Sequence, residues 1–253
     1  MWRVEDILVT VKAYPNPSRR YRETSCVAGV QLSDRSWIRL HPIPFRLLPD
    51  KQRFRKYDVI RAHVSKSSDR RPESHRVNLD KPIERVDRIG YENKWSKRNQ
   101  LLLPLRSSSV EELQQGQVGD QSLGLVRVRE LVRLEICPQD GGWTPAQLQR
   151  LQTRRMFDRE IVTLQCPEFA FYYRFYCDGP SCRGHRMKIV DWEVIQAYRG
   201  FRAQYGRRWE AKFREKFETW MAGRDLHLYV GTMLKYPTQW IIVGLYYPPR
   251  IAA

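Results

Sequence analysis

Two periods of hydrophobicity divide the chain. Over residues 6–90, apolar and β-branched positions alternate in short runs at Asp6–Tyr14, Thr24–Leu32, Trp37–Pro42, Tyr57–Val64 and Ile83–Ile89. A period of two in runs of this length predicts strands. Turn formers separate them, as in Ser33-Asp34-Arg35-Ser36. Five short strands with one longer basic connection predict a small barrel or strongly curled sheet, OB-like in type. Asn93–Leu103 predicts a short helix stopped by Pro104. The Ser-, Gln- and Gly-rich stretch that follows predicts a connector with one helical turn at Val110–Gln115.

The second half mixes the two periods. Leu125–Cys137 predicts an extended segment. Thr144 and Pro145 suit an N-cap and first helical position for a helix running to about Phe157. Glu160–Gln165 and Phe169–Cys177 predict paired strands, Trp192–Tyr205 and Arg207–Ala222 two helices, and Asp225–Gly231 and Gln239–Tyr247 closing strands. Trp209, Phe213, Phe217 and Trp220 fall at helical spacing, which predicts a core stripe. The expected class is therefore α+β. Residues 1–105 form a β-rich OB-like domain, 106–124 a connector, and 125–253 a mixed domain with a cysteine turn and a helical pair.

Charge changes the picture. The 253 residues carry a formal net charge of +17, and most of the 45 basic residues are arginine. Guanidinium forks pair with phosphates at two points and stack on bases, so nucleic acid is the leading partner class. Alternation sorts each strand into two faces. Trp37, Arg39 and His41 share one face, and Tyr57, Arg61 and His63 share another. Tyr172, Arg174 and Tyr176 share a third. Such aromatic-basic faces suit single-stranded DNA or RNA. Arg53, Arg55, Lys56, Arg70 and Arg71 add basic loops around the first sheet. No apolar run reaches membrane-spanning length. Five cysteines without framework spacing, and a start that lacks an apolar signal region, lead to the expectation of a reducing, cytoplasmic setting.

The densest chemistry lies in F-Y-C-D-G-P-S-C-R-G-H-R-M-K-I-V-D-W-E, Phe175–Glu193. Cys177, Cys182 and His185 fall within nine positions as C-x4-C-x2-H, a zinc-knuckle-like turn. Thiolate and imidazole suit zinc, but a closed structural site needs a fourth ligand. The candidates are Cys137, His75, His227, Asp178 and Asp191, while Cys166 sits too far along an extended strand. The turn could also be a loop of free thiols, or hold a local disulfide. An extended His185–Glu193 would instead align His185, Asp191 and Glu193 to hold magnesium or manganese for phosphodiester cleavage. The competing reading makes Asp191 the N-cap of the helix at Trp192, with Glu193 in its first turn.

Two segments carry resemblances. V-A-G-V-Q-L-S-D-R-S-W-I-R-L-H-P-I, Val27–Ile43, resembles OB-like domains of bacterial proteins encoded beside nucleases and helicases in defence loci. C-D-G-P-S-C-R-G-H-R-M-K-I-V-D-W-E resembles a motif of uncharacterised bacterial proteins of similar size. The first resemblance implies nucleic-acid binding, with a nuclease or helicase as a possible partner. The function expected from residues and resemblance together is nucleic-acid binding. A metal-dependent nuclease and a protein-binding adaptor are the alternatives.

Overall fold

A computed structural model describes residues 1–116, 120–152 and 161–250. The chain forms two compact units. The first comprises residues 1–70, 74–88 and 138–169; the second comprises 71–73, 89–137 and 170–253.

The first unit is built on β1 (Arg3–Lys12), β2 (Asn16–Ser18), β3 (Arg22–Gln31), β4 (Trp37–Ile43), β5 (Asp58–Lys66), β6 (Ser74–Val77) and β7 (Glu84–Arg88). The pairing path β1-β3-β4-β6-β5 returns to β1 and closes a barrel. Its one parallel pairing joins β4 to β6, with Leu40 opposite His75. Ile7, Val9, Val27, Ile38, Leu40, Ile60, Ala62 and Val64 fill it. The OB-like sheet expected from the sequence is present, with one change. Its closing strand is β6, four residues long, and not Ile83–Ile89. Glu84–Arg88 is the outlying β7, which pairs β5 alone. Helix α3 (Pro145–Gln152) packs on β2 and β3. Its predicted continuation to Phe157 lies outside the described residues. Residues 161–167 form no strand, so the predicted pairing of Glu160–Gln165 with the strand after it is absent there. Extended backbone at 161–165 instead supplies acceptors, as where the Tyr14 hydroxyl donates to the Gln165 carbonyl at 2.8 Å.

The second unit contains α1 (Glu92–Leu102), β8 (Arg106–Ser107), α2 (Val110–Gln115), β9 (Leu123–Pro138), β10 (Phe169–Cys177), β11 (His185–Ile189), α4 (Trp192–Tyr205), α5 (Trp209–Arg214), β12 (His227–Thr232) and β13 (Trp240–Tyr246). These strands also close. The path β10-β11-β13-β12-β9 returns to β10, and β8 pairs β9 from outside. Numbered along the chain, both barrels run first, second, third, fifth, fourth and back to first. In both, the parallel pairing joins the third and fifth strands, here β11 and β13 through Ile189 and Ile242. Both place helical structure between the third and fourth strands: two 3-10 turns at Phe45–Leu47 and Asp50–Gln52 in the first, α4 and α5 in the second. The sequences of the two barrels show no repeat, so the path is shared while the side chains are not.

Aromatic packing ties the helices to the second barrel. Phe171 of β10 lies 5.0 Å from Phe213 and 5.6 Å from Tyr198, ring centre to ring centre. The core stripe predicted for Arg207–Ala222 holds for Phe213 and Phe217, while Trp209 is half-buried and Trp220 is 39% exposed. From Glu215 to Trp220 the helix winds as a π-helix. The wider turn rotates Trp220 off the buried stripe. No described helix is long and apolar enough to cross a membrane.

Candidate metal centre and basic face

The stretch 106–124, expected as a connector with one helical turn at Val110–Gln115, carries that turn as α2 and the two-residue strand β8 before it. Helix α2 begins with a capping box. Ser109 Oγ accepts from the Glu112 N–H at 3.0 Å, and Glu112 reaches back to accept from the Ser108 N–H at 2.6 Å. Val110 and Leu113 are buried and fix the helix. The cap consumes Glu112 and leaves Glu111 free to point elsewhere.

It points at the cysteine turn. Cys177 ends β10 and His185 begins β11, while Cys182 lies in the turn between them. Cys177 Sγ donates to Glu111 Oε2 at 3.3 Å. His185 Nε2 lies 3.2 Å from Glu111 Oε1, 3.5 Å from Cys177 Sγ and 3.3 Å from Cys182 Sγ. All four ligand atoms lie within 4.8 Å of one another. The two thiols are free, and not joined as a disulfide. This Glu/Cys/Cys/His group could hold a metal ion.

The backbone makes the meeting possible. A Cβ on Gly179 would lie 2.5 Å from the Cβ of Ser109, so only glycine lets the turn approach the α2 cap. Gly184 has φ +90° and lies against the Tyr176 ring. The Cys182 N–H donates to the Gly179 carbonyl at 3.1 Å, and the Cys177 N–H donates to Cys182 Sγ at 3.3 Å.

Burial pushes the Cys177 thiol up to about 11. Burial also lowers His185, against the opposing pull of Glu111. Burial raises the Glu111 carboxyl, but its own N–H, Cys177, His185 and Cys182 together hold it below the usual range. The group therefore sets a carboxylate beside a neutral imidazole and a protonated Cys177 thiol at neutral pH.

The other candidates for a fourth ligand lie elsewhere. Asp178 pairs with Arg127 at 3.5 Å. His227 is buried in β12 with Nδ1 3.0 Å from the Asp225 carbonyl. Cys137 lies 3.8 Å from Arg186. His75 is in β6 of the other unit, and Cys166 also belongs to that unit. Asp191 caps α4: one oxygen accepts from the Glu193 N–H at 2.8 Å, the other from the Leu245 N–H at 3.2 Å. That geometry follows the cap reading and commits the Asp191 carboxylate to backbone donors. His185, Asp191 and Glu193 are not brought together as a metal group among the described residues.

The basic candidates divide. On β10, alternation is clean: Phe171, Tyr173, Phe175 and Cys177 are buried, while Tyr172, Arg174 and Tyr176 face outward. Neighbouring strands complete that face. The Arg186 guanidinium of β11 lies 3.8 Å over the Tyr172 ring, and Arg129 of β9 lies 5.9 Å from the Tyr176 ring. Arg133 of β9 is exposed beside Glu135, which accepts from Arg133, Arg174 and Arg186. Those bonds, Arg174 foremost, bring the Glu135 carboxyl down to about 2.

In the first unit the expected residues are more committed. Arg39 is 2% exposed and donates to Cys26 Sγ at 3.5 Å. Trp37 is half-buried and His41 exposed. Arg61 is exposed and holds both oxygens of Asp6 at 2.8 Å. Arg53 donates to the Leu48 and Arg46 carbonyls, and Lys56 is buried. Arg55 and Arg70 are exposed. Arg71, which falls in the second unit, donates to the Thr232 carbonyl at 3.3 Å. The sequence reading missed Glu111, Arg129, Arg133 and Arg186. No local pattern singles out Glu111: the Ser109–Glu112 spacing marks only the helix start.

A family model described as a domain of unknown function (DUF8758) matches residues 3–104. A second, also a domain of unknown function (DUF8757), matches residues 106–253, more than half of the chain. The chain belongs to the DUF8757 family. No curated protein matches the chain. The DUF8757 region contains all four residues of the candidate metal group and the whole basic face of β9–β11, whereas the Val27–Ile43 segment lies in the DUF8758 region.

Proposed function

We propose that this protein binds single-stranded nucleic acid on the outer face of β9, β10 and β11, and that a structural zinc ion fixes the hairpin that carries this face. The carrying observation is the ladder on β10. Tyr172, Arg174 and Tyr176 face outward, with Arg186 and Arg129 set against the tyrosine rings. Rings that stack on bases beside guanidinium groups that pair with phosphates are what a sequence-tolerant strand-binding surface requires. The excess charge of +17 supplies the long-range attraction.

Zinc suits the donor set because two sulfurs, one imidazole and one carboxylate match its borderline softness. Bond lengths of about 2.0–2.3 Å around a tetrahedral ion put neighbouring ligand atoms roughly 3.3–3.8 Å apart. The four contacts here measure 3.2–3.5 Å, short by a few tenths. Four protein ligands complete a tetrahedron and leave no open position, which favours a structural role over hydrolysis. The role is local. Tyr176 precedes Cys177 and Arg186 follows His185, so the clip would join the two strand ends nearest the face.

The test is anisotropy of a labelled single strand titrated with purified, metal-replete protein over a salt series. Affinity should fall by about 0.7 log units per log unit of salt for each phosphate neutralised. Tyr172→Ala should cost about 1–3 kcal/mol, and Arg186→Glu should reduce the salt slope. Absence of binding at low salt, or binding indifferent to both substitutions, removes the proposal.

A further inference from the structure

The π-helical turn that carries Trp220 outward creates a second concentration of cations in the same unit. Lys216 Nζ lies 3.3 Å over the Trp220 ring, and the Arg224 guanidinium is 4.9 Å from the same ring centre. Tyr247 meets Trp220 edge-on at 5.7 Å. Arg250 donates to the Ala222 and Arg224 carbonyls and brings a third positive charge to this end of the helix.

The nearby carboxylates are committed elsewhere. Glu215 pairs with Lys212 at 2.7 Å, Glu218 with Arg214 at 3.2 Å, and Asp225 with Arg127 at 2.7 Å. Among the described residues, none of Lys216, Arg224 and Arg250 has a carboxylate partner. Burial, and then Arg224, hold the Lys216 ammonium below the usual lysine range. Two cations thus crowd one half-exposed indole without neutralisation, which a bound anion would relieve.

We propose that Lys216 and Arg224, both set against Trp220, form a binding site for a phosphate ester that carries a planar base. A free mononucleotide and the backbone of a nucleic-acid strand share that chemistry. A cation resting on a ring at the surface is held more weakly than one bonded to phosphate. The lysine stem is flexible, so Lys216 can move from the ring to the phosphate. The indole face it leaves is then open for the adjoining base to stack on. Arg224 keeps one contact, Nε to the Tyr247 carbonyl at 3.2 Å, and offers its outer nitrogens to the phosphate. The site shares no residue with the β9–β11 face and does not depend on it.

The experiment titrates the full chain with adenosine 5′-monophosphate, adenosine, and a ten-nucleotide oligoadenylate lacking terminal phosphate, followed by tryptophan fluorescence and calorimetry. The monophosphate should bind at least about tenfold tighter than adenosine, and Lys216→Gln with Arg224→Gln should remove about tenfold of that affinity. Trp220→Phe keeps a ring in place and should lose the fluorescence response while near-UV circular dichroism confirms the fold. Tyr172→Ala should leave monophosphate binding unchanged, which separates this site from the β10 ladder. Tight monophosphate binding identifies a free nucleotide as the ligand. Binding of the oligoadenylate alone, lost in the double variant, identifies strand backbone. Wild-type protein that binds neither, or a folded double variant that binds as wild type does, overturns the proposal.

Discussion

Replacing Glu111 by glutamine removes one donor from the metal group while keeping the size of the side chain and the α2 cap, which uses Glu112. Structural zinc sites are worth about 10–16 kcal/mol. One ligand of four is then worth roughly 3 kcal/mol, or about a hundredfold in affinity. If free zinc stands at about a thousand times the wild-type dissociation constant, binding stabilises the fold by about 4 kcal/mol; a hundredfold weaker site leaves roughly 1.4 kcal/mol. The difference, about 2.7 kcal/mol, lowers the melting temperature of a unit of this size by roughly 5–10 °C. Competition against a chromophoric chelator measures the affinity, and calorimetry with and without added zinc measures the stability. A Glu111→Gln protein that holds zinc as tightly as wild type, while Cys182→Ser releases it, would show that the carboxylate is a bystander.

Three further outcomes are expected. Zinc binding should release at least one proton at neutral pH, because burial keeps Cys177 protonated up to about 11. Affinity therefore rises with pH, by roughly tenfold per unit for each proton that leaves, and isothermal titration in buffers of different ionisation enthalpy counts them. Glu135→Gln should tighten single-strand binding and steepen its salt slope by about 0.7, because it frees Arg133, Arg174 and Arg186 from their shared acid; an unchanged slope places the strand elsewhere. Gly179→Ala should weaken metal binding without touching a ligand, since the added carbon meets Ser109 at 2.5 Å, and retained zinc affinity would show that the turn can retreat.

What the sequence revealed was local, and what it hid was distant. The three Cys and His members of the candidate metal group lie within nine positions, and the faces of β10 follow from alternation alone. Glu111 stands 66 positions from Cys177 in a stretch rich in Ser and Gln, where nothing local marks it as a partner. The closing strand β6 is only Ser74-His75-Arg76-Val77, too short and polar to register as a core strand, yet Ser74 and His75 are buried. Closure of the second barrel rests on pairings of β10 with β9 and of β11 with β13, which no short window contains. Alternation also gives a side and not an exposure. It put Arg39 opposite Ile38 and Leu40 correctly, but the far side of β4 is covered there too, and Arg39 is buried.

The first unit recruits residues 138–169, which the chain reaches only after it has laid down β9. Leu151 and Leu164 of that segment are buried, and its carbonyls accept from Tyr14 and Arg22. The two family models divide the chain near residue 105, but the folded matter does not divide there. A gene fragment ending at that boundary would encode a barrel stripped of its cover. The two regions are therefore poor candidates for independent shuffling by recombination, and are better inherited as one interleaved piece.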